Sequence, residues 1–351
     1  MTLAPAASQL KPFEQELLNQ LQDSFPLAWR PFAEIGERLG ASEADVMEAI
    51  EGLRAAGIVR EISAIFDTRA LGYRSSLVAM RVAPERLESA AAVVNEHPGV
   101  SHNYRRHHNF NLWFTIAVPP HLDLEKHVAI LHEASGAESA RLLPTIRMFK
   151  LAVTLDMKGD RAIDHQSKPL YTGHEREKGL KQPLTEGDVE LVRAVQGDLP
   201  MRSDPLQPAA ETLGLSPDKL LGRLAHLKEG GYLQRFAGIL RHRKAGFGSN
   251  GMAVWAVPEE RAGAVGEEMA NFTSISHCYL RPTYEDWPYN LFSMIHARTR
   301  KECESLVTDL AGRFDLDTYD VLYSGTEFKM ARLRYFTPAW DEWERAHSLT
   351  S

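Results

Sequence analysis

Residues 39–60 read LGASEADVMEAIEGLRAAGIVR, and residues 213–234 read LGLSPDKLLGRLAHLKEGGYLQ. In both, a Leu-Gly pair closes one apolar-periodic segment and a serine opens the next. Ser42 and Ser216 are N-cap residues, and acids follow Ser42 in the first turn of its helix. The runs Gly57-Ile-Val-Arg and Gly231-Tyr-Leu-Gln then start a small wing. Helix, short turn and helix followed by a wing is the pattern of a winged helix-turn-helix. It occurs twice.

Working outward, Leu17 meets Leu191, Gln22 meets Gln196 and Pro26 meets Pro200. Leu53, Gly57, Gly72 and Pro84 meet Leu227, Gly231, Gly246 and Pro258. The register slips before His102/His277 and again before Asn111/Asn290, where the second copy inserts residues. It then holds to Phe149-Lys150 against Phe328-Lys329. So long a period means duplicated domains, since solenoid units span only about 20–50 residues. Met157 to Gln182 is polar, charged and dotted with Gly and Pro, which predicts a linker.

Helical spacing marks Phe13–Gln22, Asp188–Gln196, Phe32–Leu39 and Pro208–Leu213. Strands are expected at Ser76–Val82, Val100–Tyr104, Leu112–Val118 and Thr145–Leu155, with helices at Glu85–Glu96 and Leu122–Ser135. The second copy repeats them near Met252–Val257, Ser274–Leu280, Asn290–His296 and Val321–Arg334, with helices Glu259–Asn271 and Arg300–Arg313. That order, βαββαβ, is the ferredoxin-like unit, an antiparallel sheet with both helices on one face. The expected class is α+β, a tandem duplication with an internal pseudo-dimer in which each bare sheet face finds the other copy. The expected boundaries are 1–70 and 183–244 for the helix-turn-helix domains, 71–156 and 245–340 for the ferredoxin-like domains, and 157–182 for the linker.

Composition narrows the function. The 351 residues suffice for several domains, and 44% hydrophobic with 25% charged residues is ordinary for a globular protein. Apolar runs such as Leu112–Pro120 are strand-sized, so no membrane span is expected. Residues 1–16 lack the basic start and apolar stretch of a secretory signal. Cys278 and Cys303 alone build neither a disulfide framework nor a cysteine zinc site, so a reduced, cytoplasmic protein is expected. A net charge of −7 disfavours nucleic acid or an anionic membrane as the main partner. The first recognition helix carries Glu43, Asp45, Glu48 and Glu51, which would meet phosphates. In the second, Asp218 and Glu229 offset Lys219, Arg223 and Lys228. Gly246 to Gly251 matches GxGxxG, yet a strand follows it where a dinucleotide site needs a helix.

The chemistry concentrates in HNYRRHHNFNLWF, residues 102–114, and its diverged partner HCYLRPTYEDWPYNLF, residues 277–292. Period-two alternation puts His102, Tyr104 and Arg106 on one face and Asn103 and Arg105 on the other. A plain hairpin tip favours Asn, Gly and Asp over four consecutive cationic or titratable residues, Arg105 to His108. Arginine forks grip carboxylates and histidine exchanges protons near neutrality, so the cluster, set beside aromatic and apolar residues, suits an anionic ligand with an apolar body. No carboxylate or cysteine completes a familiar ligand spacing, so no metal site is expected. The second copy keeps His277, Tyr279 and Arg281, then inserts Tyr284, Glu285, Asp286 and Trp287. Divergence at this point suggests one composite or dominant site. Lys150 and Lys329 end the pattern as candidate carboxylate contacts or as solvated strand lysines.

These two stretches, the second followed by MIHA, resemble the two subunit motifs of the siroheme decarboxylases. The helix-turn-helix plus ferredoxin-like layout is similar to the Lrp/AsnC regulators. The resemblance covers both halves and implies a fused form associated with d1-type haem biosynthesis. It implies loss of the C12 and C18 acetate carboxyl groups of siroheme to give 12,18-didecarboxysiroheme. No organic cofactor is implied, and the iron belongs to the substrate. On that basis Arg105 and Arg106 hold peripheral carboxylates, and His107 or His108 delivers a proton with Tyr104 assisting, His108 being the better match to the motif. His102, Asn111, His277, Tyr279, Arg281, Tyr284, Trp287, Asn290, Lys150 and Lys329 complete the binding surface. The alternatives are a tetrapyrrole-responsive regulator of the Lrp/AsnC type and a non-catalytic scaffold. Self-association beyond the internal pairing stays open.

Overall fold

The computed structural model describes residues 10–23, 25–151, 183–240, 249–297 and 299–347. The linker read at 157–182, the end of the strand read to Leu155, and Gly246 to Gly248 lie outside them. The first repeat begins with helices α1 (Pro12–Asp23), α2 (Pro31–Leu39) and α3 (Glu43–Ala55) and strand β1 (Val59–Phe66). It continues through β2 (Arg74–Arg81), α4 (Leu87–Glu96), β3 (Val100–Arg106), β4 (Leu112–Val118), α5 (Leu124–Ser135), β5 (Ser139–Pro144) and β6 (Arg147–Leu151). The second repeat runs α6 (Glu186–Val195), α7 (Gln207–Leu213), α8 (Pro217–Glu229), β7 (Leu233–Leu240) and β8 (Ser249–Trp255). After these come α9 (Glu259–Met269), β9 (Ile275–Leu280), β10 (Leu291–Ala297), α10 (Arg300–Phe314), β11 (Tyr319–Met330) and α11 (Ala339–Ala346).

One compact unit takes α1–α3 with β1 and α6–α8 with β7. Gly40 (φ 67°) and Gly214 (φ 62°) adopt the left-handed conformation that ends α2 and α7 at low cost for a residue without Cβ. Ser42 and Asp45 form a reciprocal capping box at α3, and Ser216 accepts from the Lys219 amide at α8. The wing differs from expectation. Each repeat contributes one strand, and β1 pairs antiparallel with β7 from Val59↔Leu240 to Phe66↔Leu233. The backbone groups that a hairpin would satisfy within one repeat are satisfied by the other repeat.

The second unit takes β2–β6 and β8–α11. Among the described residues its nine strands follow the order β5-β2-β4-β3-β11-β8-β10-β9-β6. Strands β5-β2-β4-β3 and β11-β8-β10-β9 each have the ferredoxin-like order. The last strand of the first repeat is placed differently from the reading at Thr145–Leu155. The strand that pairs with β2 is β5, at Ser139–Pro144, and β6 crosses to pair with β9 of the second repeat. In the second repeat one uninterrupted strand performs both tasks, since β11 pairs with β8 up to Tyr323 and with β3 from Ser324. Pro144 lies where the aligned Tyr323 continues β11. Lacking an N–H, it ends β5, which explains the split.

Helices α9 and α10 bury Val265, Met269, Leu306 and Leu310 against Trp255, Leu291 and Ile295. The alternate residues face the other way. There Ala79, Trp113 and Leu143 of the first repeat cluster with Met252, Val254, Phe292 and Leu322 of the second. The helix-free faces of both repeats thus share one apolar core. Helix α11, absent from the sequence reading, buries Trp340 and Trp343.

Candidate functional site

Strands β3 and β9 carry the site. Asn103 points to the helices, its amide donating to the Ala91 carbonyl (3.3 Å) and to Asn95 Oδ1 (3.0 Å). Its counterpart Cys278 donates to the Gly266 carbonyl in α9, and burial pushes its thiol up to about 12. Period two therefore sends His102, Tyr104 and Arg106, and likewise His277, Tyr279 and Arg281, to the helix-free face. The His102 and Tyr104 rings stack 6.2 Å apart, and His277 and Tyr279 lie 6.1 Å apart. The Arg106 guanidinium sits 5.9 Å from the Tyr104 ring centre, and that of Arg281 4.9 Å from Tyr279. Two matching columns of imidazole, phenol and guanidinium result.

Both columns begin at a bulge. Pairing passes from Val100↔Ile116 to His102↔Thr115, and from Ile275↔Ile295 to His277↔Met294, leaving Ser101 and Ser276 as extra residues. A bulge re-aims a side chain, here bringing each serine beside the histidine that follows it. Ser101 Oγ lies 3.0 Å from His102 Nδ1, and Ser276 Oγ lies 2.7 Å from His277 Nδ1. Ser276 Oγ also lies 2.6 Å from Nε2 of buried His296.

The arginines supply the charge. Arg106 is buried and donates from Nη1 to the Leu322 carbonyl at 2.6 Å; Arg281 is buried and donates to the Leu143 carbonyl. Neither Nε has a partner among the described residues. Desolvation lowers both to about 10, with only a tyrosine acting the other way in each case. Ordinary water stays below that value, so both remain cations. A buried cation without a carboxylate partner is costly by itself and suited to an incoming anion.

The loop after β3 fixes His108. Its Nδ1 accepts the Phe110 amide at 3.0 Å, so the neutral ring carries its proton on Nε2. Burial lowers its pKa below the usual histidine value, and its ring meets the Trp287 ring at 5.3 Å. Arg105 and His107 are exposed. The inserted residues of the second repeat come to this loop. Trp287 is buried against Phe110, Trp113 and Phe292. Tyr284 donates to the Leu142 carbonyl at 2.5 Å, and Asp286 takes both prongs of Arg141 at 2.8 and 2.9 Å. The structure thus assembles His108, Tyr284 and Trp287 across the two repeats.

Four candidates have backbone tasks instead. Asn111 accepts from the Val82 amide and donates to its carbonyl, and Asn290 does the same with Val257. Both side-chain amides are thereby taken up in holding the end of a strand. Lys150 and Lys329 lie on the helix side. Lys150 Nζ donates to the Phe272 carbonyl (2.7 Å), and Lys329 Nζ to the Asn95 (2.6 Å) and His97 (3.2 Å) carbonyls. Lys329 ties down carbonyls at the C-terminal end of α4, where cations are favoured, and Lys150 holds a carbonyl in the turn that follows α9. Ser101, Ser276 and His296 were missed by sequence reasoning. The Ser-His pair repeated at 101 and 276, and the MIHA stretch, were the available signals.

Comparison with known proteins assigns the family. An AsnC-like ligand binding domain matches residues 70–150 and 244–329. A siroheme decarboxylase NirDL-like HTH domain matches residues 14–60 and 188–233. A siroheme decarboxylase of Hydrogenobacter thermophilus is 38% identical over 329 residues, covering 93% of this chain and 96% of the relative. The chain belongs to the siroheme decarboxylase family. Its duplicated form agrees with the siroheme decarboxylase beta subunit of Methanosarcina barkeri, 39% identical over 42% of this chain and 97% of that subunit. The crystal structure of the siroheme decarboxylase NirDL in co-complex with an iron-uroporphyrin III analogue has a TM-score of 0.74 and 35% identity. It covers 96% of this chain and 100% of that one.

Proposed function

We propose that the chain removes the C12 and C18 acetate carboxyl groups of siroheme, giving 12,18-didecarboxysiroheme, without an organic cofactor. The observation that carries this reading is the pair of buried arginines, Arg106 and Arg281, each beside a histidine and a tyrosine and each without a carboxylate partner among the described residues. Loss of carbon dioxide leaves an electron pair on a methylene conjugated with the macrocycle, so the substrate is its own electron sink. The protein must grip a flat polyanion, keep water from the departing carboxylate and return a proton.

In this scheme Arg106 and Arg281 hold substrate carboxylates from the helix-free face, and Arg105 and His107 reach peripheral ones from the exposed rim. His102, Tyr104, His277 and Tyr279 line the macrocycle, with Tyr284 and Trp287 closing the first-repeat side. His108 serves as an Nε2–H donor to a carboxylate, because delivering that proton from the neutral ring would leave an imidazolate. The two repeats act as an internal pseudo-dimer, supported by the crossing of β6 and β11. Free, buried Cys278 and Cys303 suit a reducing, cytoplasmic setting for the reaction; among the described residues no helix is long and apolar enough to cross a membrane. Asp45, Glu48 and Glu51 are exposed on α3, which speaks against phosphate contacts and a regulator's role. Anaerobic incubation with siroheme, followed by mass analysis of the recovered tetrapyrrole, tests the reading. Loss of two carbon dioxide units supports it, and unaltered siroheme refutes it.

A further inference from the structure

The two columns differ at one position behind the histidine. In the second repeat Ser276 Oγ stands between His277 Nδ1 at 2.7 Å and His296 Nε2 at 2.6 Å, with a longer contact of 3.5 Å to the Met294 carbonyl. In the first repeat Ser101 reaches His102 Nδ1 at 3.0 Å, but the residue aligned with His296 is Ala117. The equivalence is backed by the backbone: the Ala117 amide bonds to the Gly99 carbonyl as the His296 amide bonds to the Ser274 carbonyl. Among the described residues a three-member hydrogen-bonded chain thus stands behind His277, and at the aligned place behind His102 Ala117 offers no third ring.

We propose that Ser276 and His296 form a proton relay that reloads His277 during decarboxylation, which makes the second-repeat column the proton-delivering one. This rests on the functional reading above. The chemistry follows from the bonding capacity of the three groups. One hydroxyl hydrogen cannot be given to two ring nitrogens, so at least one ring donates to Ser276 Oγ; the relay uses the arrangement in which His296 Nε2–H donates to Ser276 Oγ and Ser276 O–H donates to His277 Nδ1. His277 then carries its own hydrogen on Nε2, on the half-buried face beside Tyr279 and Arg281.

When the acetate C–C bond breaks, carbon dioxide departs and its bonding pair stays on the methylene carbon. That carbon takes the Nε2 hydrogen of His277 and becomes a methyl group. His277 Nδ1 takes the hydroxyl hydrogen of Ser276, and Ser276 takes the Nε2 hydrogen of His296. His277 passes from one neutral tautomer to the other and never becomes an imidazolate. The electron pair ends in the new C–H bond; as His296 gives up its Nε2 hydrogen its Nδ1 takes a proton from solvent, so His296 also passes between neutral tautomers and that solvent proton is the one the reaction consumes. His108 has no such route, because its Nδ1 is held by the Phe110 amide.

Ser276 and His296 are positioning residues by this account, since they act through His277. The test uses the full chain under anaerobic conditions, with siroheme turnover and binding of iron uroporphyrin III measured separately. Ser276→Ala and His296→Gln are expected to lower kcat about a hundredfold, the scale of lost acid–base assistance. Binding of the analogue should stay within about twofold, well under the tenfold that each 1.4 kcal/mol represents. Ser276→Thr, which keeps a hydroxyl, restores turnover and the solvent deuterium isotope effect. Unchanged kcat in Ser276→Ala and His296→Gln overturns the relay. So does a parallel loss of binding and turnover that Ser276→Thr leaves unrepaired, the mark of a merely structural role. Wild-type protein that releases no carbon dioxide overturns the functional reading itself, before any variant is compared.

Discussion

Arg106 stands on the helix-free face beside Tyr104, as Arg281 does beside Tyr279. Their burial and their bonds to Leu322 and Leu143 were not legible, because those carbonyls lie on strands distant in sequence. Both side chains lose solvation for one carbonyl bond each. Replacing such a group by an apolar residue of similar length is commonly neutral or stabilising. Arg106→Met and Arg281→Met should therefore keep or raise the thermal midpoint. At the same time each should weaken iron uroporphyrin III binding about ten- to hundredfold, the equivalent of a lost charge-assisted hydrogen bond. Absorbance titration and thermal melting read the two effects independently; a variant that melts early but binds normally would contradict this assignment.

Among the elements, the ferredoxin-like units were visible as strand and helix periods, and the two serine bulges were not. A bulge is defined by the strand opposite, which no local pattern announces. Pro144 did carry a local signal, but it falls in the unassigned stretch between the helix expected at Leu122–Ser135 and the strand expected at Thr145–Leu155. The lysines illustrate the same limit: a basic residue on a strand looks alike whether it meets substrate or a helix end. Lys329→Met is expected to destabilise the fold by about 1–2 kcal/mol through lost bonds to the α4 carbonyls, with siroheme affinity unchanged. Denaturant melts and binding titrations decide it, and reduced affinity at full stability would return Lys329 to the binding surface.

Helix α11 makes a second element-level prediction. Trp343 lies 4.4 Å from the His97 ring and 4.7 Å from the His127 ring, and His97 Nε2 is 2.9 Å from His127 Nδ1. Burial holds both histidines below their ordinary value of 6.5, most strongly His97, where His127, Lys329 and His347 add in the same sense. Glu344 and Asp123 oppose the shift at His127, and Lys126 reinforces it. A depressed folded pKa means the unfolded chain takes the proton first. The stability these histidines contribute is whole above that ordinary value and is lost as pH falls below it. The thermal midpoint should drop between about pH 7 and pH 5, and the drop should shrink in His97→Asn. A flat midpoint over that range would contradict the prediction.

For the whole molecule, duplication was readable because aligned Leu, Gly and Pro positions recur over most of the chain. The pooling of both helix-free faces followed from each sheet having one uncovered face. What could not be read was the exchange of β6 and β11, which depends on pairing between residues of different repeats. That exchange brings the second repeat's insert to His108 and gives each buried arginine a carbonyl from the other repeat. The account stands on both arginines gripping a tetrapyrrole that then loses two carboxyl groups. The most direct measurement is the mass of siroheme recovered after anaerobic incubation with the wild-type chain and with the Arg106→Met/Arg281→Met double variant. The account predicts a product lighter by two carbon dioxide units from the wild type and intact siroheme from the variant. Equal conversion by both chains, or none by the wild type, would contradict it.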